Sequence, residues 1–131
     1  MRILLDTSAW LWMVGASERL GGHARTHLED PDNELLLSAA SSWEIAIKHG
    51  IGKLSLPDDP GRYVPARMAA TGVTPLRVTY EHALAVAALP HHHSDPFDRL
   101  LIAQAAAERV PVMTDDGAFA AYDVDTIAAG S

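Results

Sequence analysis

Arg2-Ile3-Leu4-Leu5-Asp6-Thr7-Ser8 is the stretch whose reading decides the fold of this chain. A short apolar run stopped by an acid reads as a buried strand. The residues that follow, Ser8 to Val14, are apolar and aromatic and read as a helix halted at Gly15. The same grammar returns near the other end, where Val110 to Met113 reads as a strand and Thr114-Asp115-Asp116 follows it. In an open parallel sheet, ligands bind in the crevice beyond the carboxyl ends of the strands. An acid just past a strand therefore stands where chemistry is done.

Working outward from that start, Gly21 to Glu29 is a weak helix and Asp30 to Asn33 a turn. Glu34 to Leu37 is a second strand. Ser38 to His49 is the clearest helix, with Ala40, Trp43, Ala46 and Ile47 as its apolar stripe and Gly50 as its stop. Leu56 to Gly61 reads as a loop, Arg62 to Ala70 as a helix and Thr74 to Val78 as a strand. Tyr80 to Ala88 is helical, and Leu89 to Ser94 is a connection carrying His91, His92 and His93. Pro96 to Glu108 is a strong helix, Asp115 to Tyr122 a short one, and Val124 to Ile127 an edge strand. Strands alternating with helices, without tight hairpin signals, imply an α/β fold: a mostly parallel central sheet flanked by helices in three layers. One domain over residues 1–131 is expected, because repeats, low-complexity tracts and linkers are lacking.

The composition is that of a globular protein, with 48% hydrophobic and 21% charged residues. There is no cysteine, which excludes disulfides and thiolate metal sites. No apolar run approaches the ~20 residues of a membrane helix, and the first residues lack the features of a secretory signal. A soluble, cytoplasmic protein is expected. The net charge of −7 argues against simple phosphate neutralisation. That objection weakens if acids are gathered to hold divalent cations.

Four acids carry the functional reading, and each has a plainer explanation. Asp6 can cap the helix after it, a role worth about 1 kcal/mol. Glu44 stands four residues before Lys48, the favourable order for a surface ion pair. Asp98 follows Asp95-Pro96, a helix start, and favours the positive end of the helix. It also heads the face bearing Ile102 and Ala105, where a buried carboxylate needs a partner. Asp115 or Asp116 can cap the short helix beginning near Gly117. Together the four say more than any one alone. Converging carboxylates would repel and partly protonate unless a divalent ion held them. Oxygen-only donors select Mg²⁺ or Mn²⁺ over zinc, and such sites hydrolyse phosphodiesters.

Four strings give a more specific pointer: LLDTSAW (Leu4–Trp10), SSWEIAIKHGIGKLSL (Ser41–Leu56), HHSDPFDRLLIAQA (His92–Ala105) and TDDGAFAAYDV (Thr114–Val124). In this order and spacing the chain resembles the PIN-domain ribonucleases, and among them the VapC toxins of type II toxin–antitoxin systems. The resemblance implies a PIN-like fold and Mg²⁺-dependent RNA cleavage, with the family's acids falling on Asp6, Glu44, Asp98 and Asp116. Asp6 and Asp98 would be the most direct metal ligands, Thr7 stands beside the first acid, and the Thr114 hydroxyl would steady the site. The doubled Asp115-Asp116 leaves open which acid faces inward. The resemblance further implies a cognate antitoxin and a homodimer. Trp10, Trp12 and Trp43 would either line a groove for the antitoxin tail or serve as core aromatics.

Arg99 and Lys48 would meet flanking phosphates or stand as solvated charge. His91 to His93 read as a surface loop, against two alternatives: acid–base catalysis without metal, or a soft-metal site. Two rival functions remain. A receiver-type phosphoacceptor also keeps acids at strand ends, but Asp6 stands alone and the last third lacks the lysine it would need. An inactive PIN fold that only binds protein is the other.

Overall fold

The computed structural model describes residues 1–131. The elements in chain order are β1 (Arg2–Leu5), α1 (Thr7–Gly15), α2 (Gly22–Glu29), β2 (Glu34–Ser38), α3 (Ala39–Gly50) and α4 (Pro60–Thr71). They continue with β3 (Thr74–Leu76), α5 (Tyr80–Ala85), α6 (Pro96–Glu108), β4 (Val112–Thr114) and β5 (Thr126–Ala128). Short 3₁₀ turns occupy Ser17–Arg19, Val86–Ala88 and Gly117–Ala121. The five strands form one sheet in the order β3-β2-β1-β4-β5, and every pairing is parallel.

β1 is central because it is apolar on both faces. Alternation sends Ile3 and Leu5 to one side, where they join Trp10, Ala24, Ile45 and Val64 from the helices. Leu4 points the other way, with Leu36 and Val112, against Leu101, Ile102 and Ala105 of α6. Helices on both faces give the three layers that the alternating pattern implied. Strand order reverses direction between β1 and β4, which are paired through Leu4–Val112 and Leu5–Met113. That reversal opens a crevice at their carboxyl ends. Asp6 follows β1 there, and Asp116 follows β4.

The structure corrects several boundaries. α4 starts at Pro60, inside the expected Leu56–Gly61 loop, because the Asp59 side chain caps the Gly61 amide and proline opens the first turn. β3 is two residues shorter than expected, β4 runs over Val112–Thr114, and β5 lies at Thr126–Ala128, two residues on from the expected start. The Ser17–Arg19 turn falls where the residue pattern implies no element.

The face of α3 is the larger correction. Its buried residues are Ala40, Ser41, Glu44 and Ile45, while Trp43 is 61% and Ile47 38% exposed. The Thr7 hydroxyl, donating to Glu44 and 3.0 Å from Ser41 Oγ, turns the polar side of the helix inward. Trp43 lies instead on the surface, edge-to-face with Phe97 at a centroid distance of 5.3 Å. Trp10 is wholly buried in the core, and Trp12 is half-buried beneath the Arg19 guanidinium.

Leu101 is 1% exposed between α6 and the sheet. Leu101→Ala should lower unfolding free energy by about 2–5 kcal/mol, as deletion of a core leucine does. Denaturant titration measures it, and a loss well under 1 kcal/mol would contradict this packing.

Candidate active site

Each acid is positioned by its local sequence. The Asp6 amide donates to the Met113 carbonyl at 3.0 Å, continuing the β1–β4 pairing. Its Oδ1 accepts the Ala9 amide at 2.7 Å, so Asp6 does cap α1. Its Oδ2 accepts the Thr114 hydroxyl at 2.6 Å. Thr114 Oγ1 in turn accepts the Asp116 amide at 3.0 Å, and Asp116 Oδ1 caps the 3₁₀ turn through the Ala118 amide. Asp6 and Asp116 therefore carry both readings at once, capping one element while facing the crevice.

From the opposite wall, Glu44 Oε1 accepts the Thr7 hydroxyl at 2.6 Å, and Ser41 Oγ lies 3.0 Å from the same hydroxyl. Glu44 Oε2 is ion-paired with Lys48. At the head of α6, Asp95 Oδ1 caps the Asp98 amide at 3.0 Å. That leaves the Asp98 carboxylate free to face the cleft, with His93 Nε2 3.6 Å away.

Asp6, Glu44, Asp98 and Asp116 line one cleft of about 200 Å³, together with Thr7, Ser8, Lys48 and Asp95 and with no hydrophobic side chain. The fold thus gathers all four expected acids, and it is Asp116 that faces them. Asp115 lines an adjoining hollow with Ser8, Trp12 and Gly117. Ser8, Ser41 and Asp95 are site residues that the sequence reading does not single out. Asp95 and Ser41 each stand three residues before a site acid, one helical turn away, and that spacing is the available signal.

The electrostatics match the crowding. Asp6 is raised to about 6, chiefly by burial; bonds from Thr114 and Ala9 oppose the rise, and the charges of Asp116 and Glu44 add to it. Asp98 is raised to about 7, first by burial and then by Asp95, Asp116, Glu44 and Asp6. Lys48 is raised by its bond to Glu44. Carboxyl groups that hold protons near neutrality, among oxygen donors only, fit a hard divalent cation in their chemistry. No three of the histidine, aspartate and glutamate side chains stand around a common ion position, so closing on one takes side-chain movement.

Two expectations take a different form. Arg99 is neither solvated nor aimed at a phosphate: it is 6% exposed and bonded to the carbonyls of Pro90, Val86 and Leu89 and to the Tyr122 hydroxyl. Lys48 is half-exposed on the cleft wall, in the ion pair expected of a Glu-to-Lys spacing. The three histidines do lie in a loop. His92 and His93 pack edge-to-face on Tyr122, and His91 is exposed.

Residues 3–125 match the sequence model of the PIN domain, and the chain belongs to that family. Among relatives, it is 48% identical over 58 residues to Ribonuclease VapC16 of Mycobacterium tuberculosis. That match covers 44% of this chain and 41% of the relative, less than half the length of either. Among solved structures, it resembles VapBC2 of Rickettsia felis bound to a DNA fragment from the promoter, with TM-score 0.73 and 12% identity over 97% of this chain and 98% of that one. VapBC-5 of Mycobacterium tuberculosis aligns with TM-score 0.62 and 21% identity, over 96% and 97%. At these identities the structural likeness speaks to the fold. No helix is long and apolar enough to cross a membrane.

The raised carboxyl of Asp98 sets a pH dependence. Between its ordinary value of 3.8 and about 7 the folded state binds more protons than the unfolded state, so stability falls as pH rises through that window. In metal-free buffer, Asp98→Asn should be more stable than the parent at pH 8, on the order of 1 kcal/mol after allowing for partial exposure, and no more stable near pH 4. Thermal melts across this range decide it; a gap independent of pH would refute titration of Asp98 as the cause.

Proposed function

We propose that this protein is a Mg²⁺-dependent endoribonuclease acting as the toxin of a type II toxin–antitoxin pair. The observation that carries the reading is the cleft itself: four carboxylates from β1, α3, α6 and the β4 exit on one polar surface, two of them held at high pKa. Asp6 and Asp98 would hold the cation, with Glu44 and Asp116 completing the donor set and Mn²⁺ as a substitute. When bound, such an ion polarises water and screens charge on the scissile phosphate.

The chain's own residues do the positioning. Thr114 fixes the Asp6 carboxylate by donating to it and fixes Asp116 by accepting its amide. Thr7 and Lys48 hold the two oxygens of Glu44, one by a hydrogen bond and one by an ion pair. Lys48 keeps a half-exposed ammonium at the rim, within the wall an RNA phosphate would pass. Asp98, divided between its two protonation states at neutrality, must lose its proton before a cation takes its place.

The partner reading draws on the relatives. The Rickettsia felis and Mycobacterium tuberculosis neighbours were solved as VapBC, the latter a member of the VapBC family of toxin–antitoxin systems. An apolar cleft of about 250 Å³ between Trp43, Ala83, Val86, Pro96, Phe97 and Leu100 supports a protein partner. An antitoxin and a second copy of the chain are the partners proposed, in the cytoplasm.

Asp6→Asn and Asp98→Asn should each lower RNA cleavage at least 100-fold while the circular dichroism spectrum stays that of the folded protein. EDTA should abolish cleavage in the parent and Mg²⁺ restore it. Mg²⁺ should bind more tightly at pH 8 than at pH 6. Cleavage that survives EDTA would point to the histidines instead, and a folded protein with no cleavage under any condition would leave a protein-binding PIN fold.

A further inference from the structure

Arg99 is a buried guanidinium that makes no ion pair with any carboxylate. Its Nη1 donates to the Pro90 carbonyl at 2.8 Å and to Tyr122 Oη at 3.0 Å, and its Nη2 reaches the carbonyls of Val86 and Leu89. The His93 amide also donates to Tyr122 Oη, at 3.3 Å, and His93 Nδ1 lies 2.8 Å from the same oxygen. A phenol gives one proton and accepts at its oxygen. With two N–H groups already donating to that oxygen, the phenolic proton goes to His93 Nδ1. Nδ1 is then an acceptor, and the proton of the neutral ring resides on Nε2.

That Nε2–H is shielded from solvent and has no hydrogen-bond partner. The nearest carboxylate oxygen it faces is Asp98 Oδ2, 3.6 Å away. A buried donor left unpaired is costly, and a closure of less than ~1 Å would bring the pair within hydrogen-bond range. The run therefore goes from a positive group at Arg99 through Tyr122 and His93 to an acid at Asp98. Adjacent residues on a helix point about 100° apart, which is how neighbours 98 and 99 reach the cleft and the interior respectively.

We propose that His93 is a positioning residue for Asp98: its Nε2–H fixes the direction in which that carboxylate faces the cleft, while Tyr122 and Arg99 hold the ring and its tautomer. The inference rests on the proposed reading of the cleft as a metal-dependent nuclease site. Ligand carboxylates and imidazoles are commonly steadied by such outer hydrogen bonds, and their loss costs about 10- to 100-fold in metal affinity or activity. The Asp98 carboxylate accepts no hydrogen bond, and among the basic side chains His93 Nε2, at 3.6 Å, stands closest to it.

The test has two arms on the full chain. Long-range ¹H–¹⁵N correlation of the imidazoles at pH 7.5 should place the His93 proton on Nε2, and Asp98→Asn should shift that resonance. A proton on Nδ1, or no shift on Asp98→Asn, overturns the proposal even if the protein proves to bind no Mg²⁺ and cut no RNA. Calorimetric titration with Mg²⁺ should show His93→Ala weakened about 10- to 100-fold. Tyr122→Phe should weaken less, and His93→Gln should recover most of the loss because its amide can donate from a similar place. His91→Ala, on the exposed histidine, should bind as the parent does. Mg²⁺ affinity in His93→Ala within twofold of the parent overturns the positioning role while leaving the nuclease reading intact. Absence of Mg²⁺ binding in the parent sinks the nuclease reading instead.

Discussion

One hydrogen bond organises the acidic edge of this protein: the Thr114 hydroxyl donating to Asp6 Oδ2 across 108 residues of sequence. It is possible only because β1 and β4 are neighbours at the point where the sheet changes direction. The same hydroxyl accepts the Asp116 amide, so one side chain sets the spacing of two acids that share no local structure. Glu44 is drawn to the same edge by Thr7, the residue after Asp6. Two threonines thus convert backbone pairing into the placement of three carboxylates, and α6 delivers the fourth.

The bland and functional roles of these acids prove compatible. Asp6 caps α1 with one oxygen and meets Thr114 with the other. Asp116 caps a 3₁₀ turn and still lies in the field of Asp6 and Asp98. A helix cap fixes a carboxylate's position through backbone geometry, which is a rigid way to hold a group against repulsion from its neighbours. Asp98 differs: Asp95 does the capping, and the Asp98 carboxylate faces His93 Nε2 rather than any backbone amide. It is also the acid raised furthest.

Much of this is legible in the chain. Pro96–Glu108 is readable to the residue, because Asp95 as cap and Pro96 in the first turn mark the start. The parallel sheet follows from alternating elements, and the four acids from their places after strands and on helices. What escapes depends on contacts between distant segments. The apolar stripe of α3 misleads because Trp43 and Ile47 are among its most hydrophobic residues, whereas Thr7 from another helix pulls Ser41 and Glu44 inward. Arg99 resembles a phosphate contact because nothing local reveals the loop carbonyls and the phenol, 23 residues away in sequence, that enclose it.

The topology has a temporal consequence. β1 leaves the ribosome long before one of its two sheet neighbours, the strand at Val112–Thr114. Until that strand emerges, Asp6 lacks both its Thr114 donor and the backbone carbonyl that its amide engages. Pairings so remote in sequence form late in folding. A growing polypeptide therefore holds an unassembled cleft until Val112–Thr114 has been made, and the acidic edge comes into being only after that strand emerges.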